Sequence, residues 1–152
     1  MSRLELKCPP PLVAAVCALL IWLSRWAGFK SPLQGDLSWL KYGLVFTALL
    51  LGLGALYQFR QRGTTFHPHT PEKTRVLVDS GLFRYSRNPM YLGILLLLSA
   101  YALHEPSWLA PLWLVGFVLY MNRFQIHPEE RALRSLFGAE YTRYMARTRR
   151  WI

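Results

Sequence analysis

Tyr42-Gly-Leu-Val-Phe-Thr-Ala-Leu-Leu-Leu-Gly-Leu-Gly-Ala-Leu-Tyr-Gln-Phe59 runs without a single charged side chain. Coiled as an α-helix, a run of this length covers about 27 Å, close to the roughly 30 Å hydrocarbon thickness of a bilayer. Apolar residues occupy every face of such a helix, which leaves no polar stripe to turn toward water. The segment Leu37 to Phe59 therefore reads as a membrane span. Three further stretches share its character: Pro11 to Trp26, Pro89 to Leu103 and Trp108 to Met121. The last two are separated only by His104, Glu105, Pro106 and Ser107, a break that suits a tight antiparallel helical hairpin, with each arm near the lower length limit for a span. The first stretch, flanked by Arg3 and Lys7, has the look of a signal peptide, but Ser24, Arg25 and Trp26 stand where a small-x-small cleavage site belongs, so an uncleaved anchor is expected. The pattern predicts an all-α integral membrane bundle of about four transmembrane helices, forming one domain over residues 1–152.

Charge supports that reading. The chain carries 18 Lys and Arg against 8 Asp and Glu, a net charge of +10, although 53% of its residues are hydrophobic. Nucleic-acid binding is the usual reason for such basicity, but long apolar runs have no place on a nucleic-acid-binding surface. Here the basic residues crowd between the runs. The amino terminus, the segment Arg60 to Arg87 and the tail from Arg123 hold 15 of them, against Arg25, Lys30 and Lys41 on the other side. Because Lys and Arg are retained on the cytoplasmic face, both termini and the Arg60 to Arg87 loop are expected there, in a multi-pass protein. Cys8 and Cys17, nine positions apart in one expected helix, stand about 13 Å from each other and read as small apolar residues rather than a disulfide.

After the fourth span the chain reads as an amphipathic helix on the cytoplasmic side. Pro128 lies in its first turn, and Leu133, Leu136, Phe137, Tyr141 and Tyr144 fall on one side at helical spacing. Its outer face could equally lie on anionic headgroups.

Two clusters carry chemistry. Ser80-Gly-Leu-Phe-Arg-Tyr-Ser-Arg-Asn-Pro-Met-Tyr-Leu-Gly93 combines a Gly turn, Arg84 and Arg87, and a Pro that opens a helix. A helix amino terminus with arginines before it is a natural seat for a carboxylate, with Tyr91 and Gly93 expected to face the same pocket. Interfacial anchoring by snorkelling arginines and belt tyrosines is the plainer alternative. The second cluster, Asn122-Arg-Phe-Gln-Ile-His-Pro-Glu-Glu-Arg131, places Glu129 and Glu130 in a first helical turn. There they complement a helix dipole or hold a cation. Together the clusters suit a ligand with both a carboxylate and an ammonium. No phosphate loop, dinucleotide fingerprint, zinc spacing or nucleophile turn occurs, and His67 and His69 around Pro68 are weak as a metal site.

Arg87-Asn-Pro-Met-Tyr-Leu-Gly93 followed by Glu129-Glu130 resembles the Arg-His-Pro-x-Tyr-x-Gly and Glu-Glu signature of the isoprenylcysteine carboxyl methyltransferase and phospholipid methyltransferase family. Gly63-Thr-Thr-Phe-His-Pro68 resembles a loop of the bacterial members, and Phe137-Gly-Ala-Glu-Tyr-Thr-Arg-Tyr144 and Arg149-Arg-Trp151 resemble the family's tail, so the likeness covers about residues 40 to 152. It implies a bacterial inner-membrane enzyme that takes S-adenosylmethionine as methyl donor and a lipid-like or small thiol or carboxylate acceptor. Carried over, Arg87, Asn88, Pro89, Tyr91 and Gly93 line the cofactor pocket, with Arg87, Asn88 and Tyr91 nearest the chemistry and Glu129 and Glu130 near the methionine ammonium. Asn88 stands where the best-known members have His, and Asn cannot titrate. The rival readings are an NADPH-dependent enzyme of the sterol reductase type and a non-catalytic membrane anchor. If at least one glutamate holds the ammonium, changing both to Gln is expected to weaken the cofactor at least tenfold while stability stays near that of the parent.

Overall fold

A computed structural model describes residues 5–31, 36–62 and 76–152. Among them the fold is all-α, with five helices: α1 (Pro10–Trp26), α2 (Ser38–Gln61), α3 (Pro89–His104), α4 (Ala110–Tyr120) and α5 (His127–Arg147). A short 3-10 turn, Gly81–Arg84, leads into α3, and a π-helical segment, Met121–Ile126, joins α4 to α5 without a break. Proline stands in the first turn of α1, α3, α4 and α5, where its missing N–H has no partner to lose.

The helices alternate in direction. The exit of α1 lies beside the α3–α4 turn, tied by Ser31 N–H to Pro106 O and Trp108 N–H to Phe29 O, each 3.1 Å. At the opposite end, Leu6 N–H meets Phe124 O at 3.0 Å, and Glu5 takes ion pairs from Arg123 and Arg131. The amino-terminal segment, the end of α2, the 3-10 turn and α5 thus gather at one end of the bundle. Cys8 precedes α1 rather than lying within it, a small departure from the expected single helix, and both cysteines are free.

α3 sits at the centre, packed most extensively on α2 and touching α1 and α4. Gly93 makes the α2 contact close: a Cβ there would stand 3.0 Å from Ala48 O, in the backbone of α2. One core cluster joins α1, α3, α4 and the π segment through Cys17, Ile21, Tyr91, Leu98, Phe117, Met121 and Ile126. A second, of Ala55, Val78, Phe83, Tyr141 and Tyr144, fastens α5 beneath the end of α2. Trp113 Nε1–H reaches Ser24 Oγ at 2.9 Å and ties α4 to α1.

Of the four expected spans, α2 alone among the described residues is both long and apolar enough to cross a membrane; α1 and α3 are shorter apolar helices. α2 is also hardly buried, with Trp39, Tyr42, Phe46, Leu49, Leu50, Leu53 and Tyr57 exposed. Exposed apolar faces continue around the bundle through Leu12, Val16 and Leu19 of α1 and Leu112, Val115 and Leu119 of α4. The expected continuous tail helix is corrected. α5 is bent at Gly138, whose φ of 51° and ψ of −121° belong to a turn that glycine favours. A straight helix would carry residue 150 about 30 Å from residue 130, whereas the bend brings them into contact.

Candidate functional site

Both sequence clusters meet at the end of the bundle where α5 folds over the start of α3. Arg87, just ahead of α3, is drawn inward with only 10% of its side chain exposed. Its Nη2 donates to Glu130 Oε1 at 2.7 Å, and its Nη1 donates to the carbonyls of Met145 (3.2 Å) and Thr148 (2.5 Å), which end the bent-back arm of α5. Arg150 approaches the same carboxylate from the other side, Nε to Oε1 at 3.0 Å and Nη2 to Oε2 at 2.7 Å. Glu130 therefore lies between two guanidinium groups. Burial raises its pKa, but the hydrogen bonds from Arg150 and Arg87, together with their charges, outweigh burial and hold the carboxyl below its ordinary value.

Glu129, one position earlier, meets a different environment. Tyr91 Oη donates to its Oε1 at 2.6 Å and Gln125 Nε2 donates to the same oxygen at 2.7 Å. Burial, with a smaller contribution from the Glu130 charge, pushes the Glu129 carboxyl up to about 7, against the lowering effect of those two hydrogen bonds. Adjacent glutamates on one helix point about 100° apart, so one faces the arginines while its neighbour faces Tyr91. The two environments thus drive the pKa values of adjacent carboxyls apart, Glu130 down and Glu129 up.

Asn88 opens α3 as its N-cap without a side-chain cap bond; its N–H donates to Ser86 Oγ at 3.1 Å, and its Nδ2 donates to Arg150 O at 2.9 Å. Pro89 is buried in the first turn. The tail closes over this start as a strap. Arg87 N–H donates to Arg149 O at 3.0 Å, Tyr144 Oη to Phe83 O at 2.6 Å, and Trp151 Nε1 to Asn122 Oδ1 at 3.1 Å. Arg147 pairs with Asp79 on the outside.

Of the sequence-predicted residues, Arg87, Asn88, Pro89, Tyr91, Glu129 and Glu130 are brought together. Gly93 is not. It lies two positions beyond Tyr91, about 200° around the helix, and faces the α2 backbone instead of the shared pocket that was expected. Gln125 and Arg150 belong to the site but were not singled out. Gln125 stands one helical turn before Glu129 and is 2% exposed, a polar side chain in the helical junction after an apolar run. That placement was a visible signal. The role of Arg150 depends on the bend at Gly138, which no spacing announces. The histidines His67 and His69, and the loop Gly63 to Pro68, lie outside the described residues. Among those described, no group of three His, Cys, Asp or Glu side chains is placed to hold a metal ion.

One further detail bears on a ligand. Arg87 Nε is buried with no acceptor among the described residues. Buried donors without partners are rare.

Comparison with known proteins gives these atoms a context. The chain is 48% identical to an uncharacterized protein of Haemophilus influenzae over 63 residues, which are 41% of this chain and the whole of that protein. No solved structure matches it. The family match covers residues 38–140, more than half of the chain, and includes Arg87, Asn88, Tyr91, Gln125, Glu129 and Glu130 but not the strap of residues 148–151; it implies a methyltransferase. The chain belongs to the phospholipid methyltransferase family of membrane-associated methyltransferases, the family of the isoprenylcysteine carboxyl methyltransferase-like enzymes.

Proposed function

We propose that this protein is an integral-membrane methyltransferase that takes S-adenosylmethionine at the Arg87–Glu129–Glu130 end of the bundle and methylates a lipid-like or small thiol or carboxylate acceptor. The observation that carries the reading is a pair of unfilled polar atoms in one site. Arg87 Nε is a buried donor lacking an acceptor, and among the described residues only one of the two Glu129 oxygens receives a hydrogen bond. A molecule with a carboxylate and an ammonium on one carbon fits that donor and acceptor, its carboxylate accepting from Arg87 and its ammonium donating to Glu129. Glu129 supplies the anion, with Tyr91 and Gln125 fixing its orientation. Glu130 holds Arg87 and Arg150 in register, and Asn88 joins the tail to the start of α3.

Bound there, S-adenosylmethionine would supply a methyl group on a positively charged sulfur, activated for in-line displacement. Charge is lost as the methyl leaves, so a site that excludes water and fixes alignment supports the reaction without a covalent protein nucleophile. The strap of residues 148–151 provides that exclusion. A carboxylate or thiolate acceptor needs no base, whereas an amine or hydroxyl would need one.

The unpartnered apolar faces of α1, α2 and α4 support insertion of the bundle as a multi-pass protein, since lipid covers them at no cost in exposed surface. With the basic excess at the site end, both termini are assigned to the cytoplasm of a bacterial inner membrane. The purified chain in detergent is titrated with S-adenosylmethionine and, separately, with NADPH. Binding of the first alone is expected; membranes are then incubated with methyl-labelled cofactor and the labelled product identified. Binding of NADPH alone, or of neither, overturns the proposal.

A further inference from the structure

At the end of the bundle away from the methyl-transfer site, Trp22, Arg25, Trp26, Lys30 and Glu105 line an open cleft of about 420 Å³. Its walls come from two parts of the chain held together by backbone. Lys30 and Ser107 form a bridge, and hydrogen bonds run from Ser31 to Pro106 and from Trp108 to Phe29. Arg25 Nη1 donates to Glu105 Oε2 at 2.7 Å across the same seam. The cleft is thus a product of tertiary structure, not a chance gap between mobile side chains.

Its charge is unusual for this end of the molecule. Only three basic residues lie on this side in the sequence reading, and two of them, Arg25 and Lys30, converge on the cleft. Against them stands one carboxylate, Glu105, which leaves a net charge of +1 with both residues ionised. Arg25 gives one of its five N–H donors to Glu105 and keeps 40% of its side chain exposed. Trp22 and Trp26 stand one helical turn apart on the same wall, and Trp26 is 79% exposed. An indole suits the boundary where hydrocarbon meets headgroup, and a soluble anion gains nothing from it. α3 separates this cleft from Asn88 by about 24 Å, so one headgroup cannot serve both places.

We propose that this cleft binds the headgroup of one net-anionic phospholipid from the leaflet opposite the methyl-transfer site, with Arg25 and Lys30 on the phosphodiester and Trp22 and Trp26 against the glycerol and upper acyl chain. The assignment rests on the bundle spanning the membrane. It does not rest on methyl transfer, and the test reads binding alone, so its failure leaves the enzymatic reading standing.

The full chain in detergent micelles is mixed with phosphatidylglycerol, with phosphatidylcholine or with inorganic phosphate, and retained ligand is counted by native mass spectrometry. Preferential retention of one phosphatidylglycerol is expected. Lys30→Gln, which leaves the Arg25–Glu105 pair untouched, is expected to weaken retention about fivefold, the effect of one basic residue near an anionic headgroup. Lys41→Gln, at the start of α2 outside the cleft, is expected to retain the lipid as the parent does. Equal retention of the two phospholipids, or equal loss in both variants, overturns the proposal. Displacement of phosphatidylglycerol by millimolar phosphate would identify a free-anion site and overturns the lipid assignment as well.

Discussion

Arg87–Glu130 and Arg25–Glu105 close the same 2.7 Å distance at opposite ends of one bundle, yet they are different interactions. At the site end the two side chains are 10% and 9% exposed, and a second arginine and two helix-end carbonyls complete the cluster. At the far end they are 40% and 20% exposed, and among the described residues the one further ion-pair partner of the carboxylate is His104, at 3.8 Å. Charges taken out of water depend on one another completely, whereas charges beside water can each fall back on solvent. Distance alone therefore says little about what a pair contributes. The site end is a locked structure, and the far end is an open surface with charge to offer.

The comparison breaks most readily at Glu130. Glu130→Gln leaves Arg87 and Arg150 facing each other without a buried counter-charge, and a loss of about 3–5 kcal/mol is expected, read by chemical unfolding in detergent. A stable variant would mean that the cluster is solvated. The burial of Glu130 between two guanidinium groups argues against the sequence-based expectation that both glutamates can be changed without loss of stability. That freedom is expected for Glu129 alone.

Glu129→Gln separates binding from folding. Gln keeps an oxygen for Tyr91 and Gln125 but removes the charge. S-adenosylmethionine affinity at pH 8 should fall by about ten- to a hundredfold, the loss of one charge-assisted hydrogen bond of roughly 1.5–3 kcal/mol. The sign of the pH effect follows from the raised carboxyl. The folded state holds the proton up to about pH 7, above the ordinary value of 4.5. This group's contribution to stability is thus full below 4.5 and lost as pH rises through 7. The variant should lack that loss and be at least as stable as the parent at pH 8. Parent affinity, which needs the ionised form, should weaken by up to about tenfold per unit below pH 7. Calorimetric titration at pH 6 and 8 reads both; unchanged affinity in the variant would remove Glu129 from the cofactor site.

A smaller effect is expected at the bend. Gly138→Ala puts a Cβ on a backbone whose φ is 51°, at a cost of about 1–3 kcal/mol, although nothing crowds the position. The strain should loosen the strap, seen as faster protease trimming near residue 148, with the core helices unaffected. At the far end, Glu105→Gln should cost less than about 1 kcal/mol, as exposed pairs do. A cost like that of Glu130 would erase the contrast between the two ends.

Much of the fold was legible because each apolar run is local and some helix starts carry their own proline. Pro89 and Pro128 mark first turns in the sequence as clearly as in the structure. That Arg87, Asn88, Tyr91 and the two glutamates meet was legible from their motifs. The sequence could not divide Glu129 from Glu130, since their difference is a 100° rotation whose meaning depends on what lies opposite. It could not assign Gly93, a position that serves the approach of α3 to Ala48. Nor could it bring Arg150 to Glu130, because one glycine reverses the tail and a reversal is invisible to periodicity. Patterns along the chain report local conformation and which surfaces avoid water; partners 20 or 43 residues apart are chosen only when the helices close on each other, and that closure made a buried lock of one arginine–glutamate pair and an open cleft of the other.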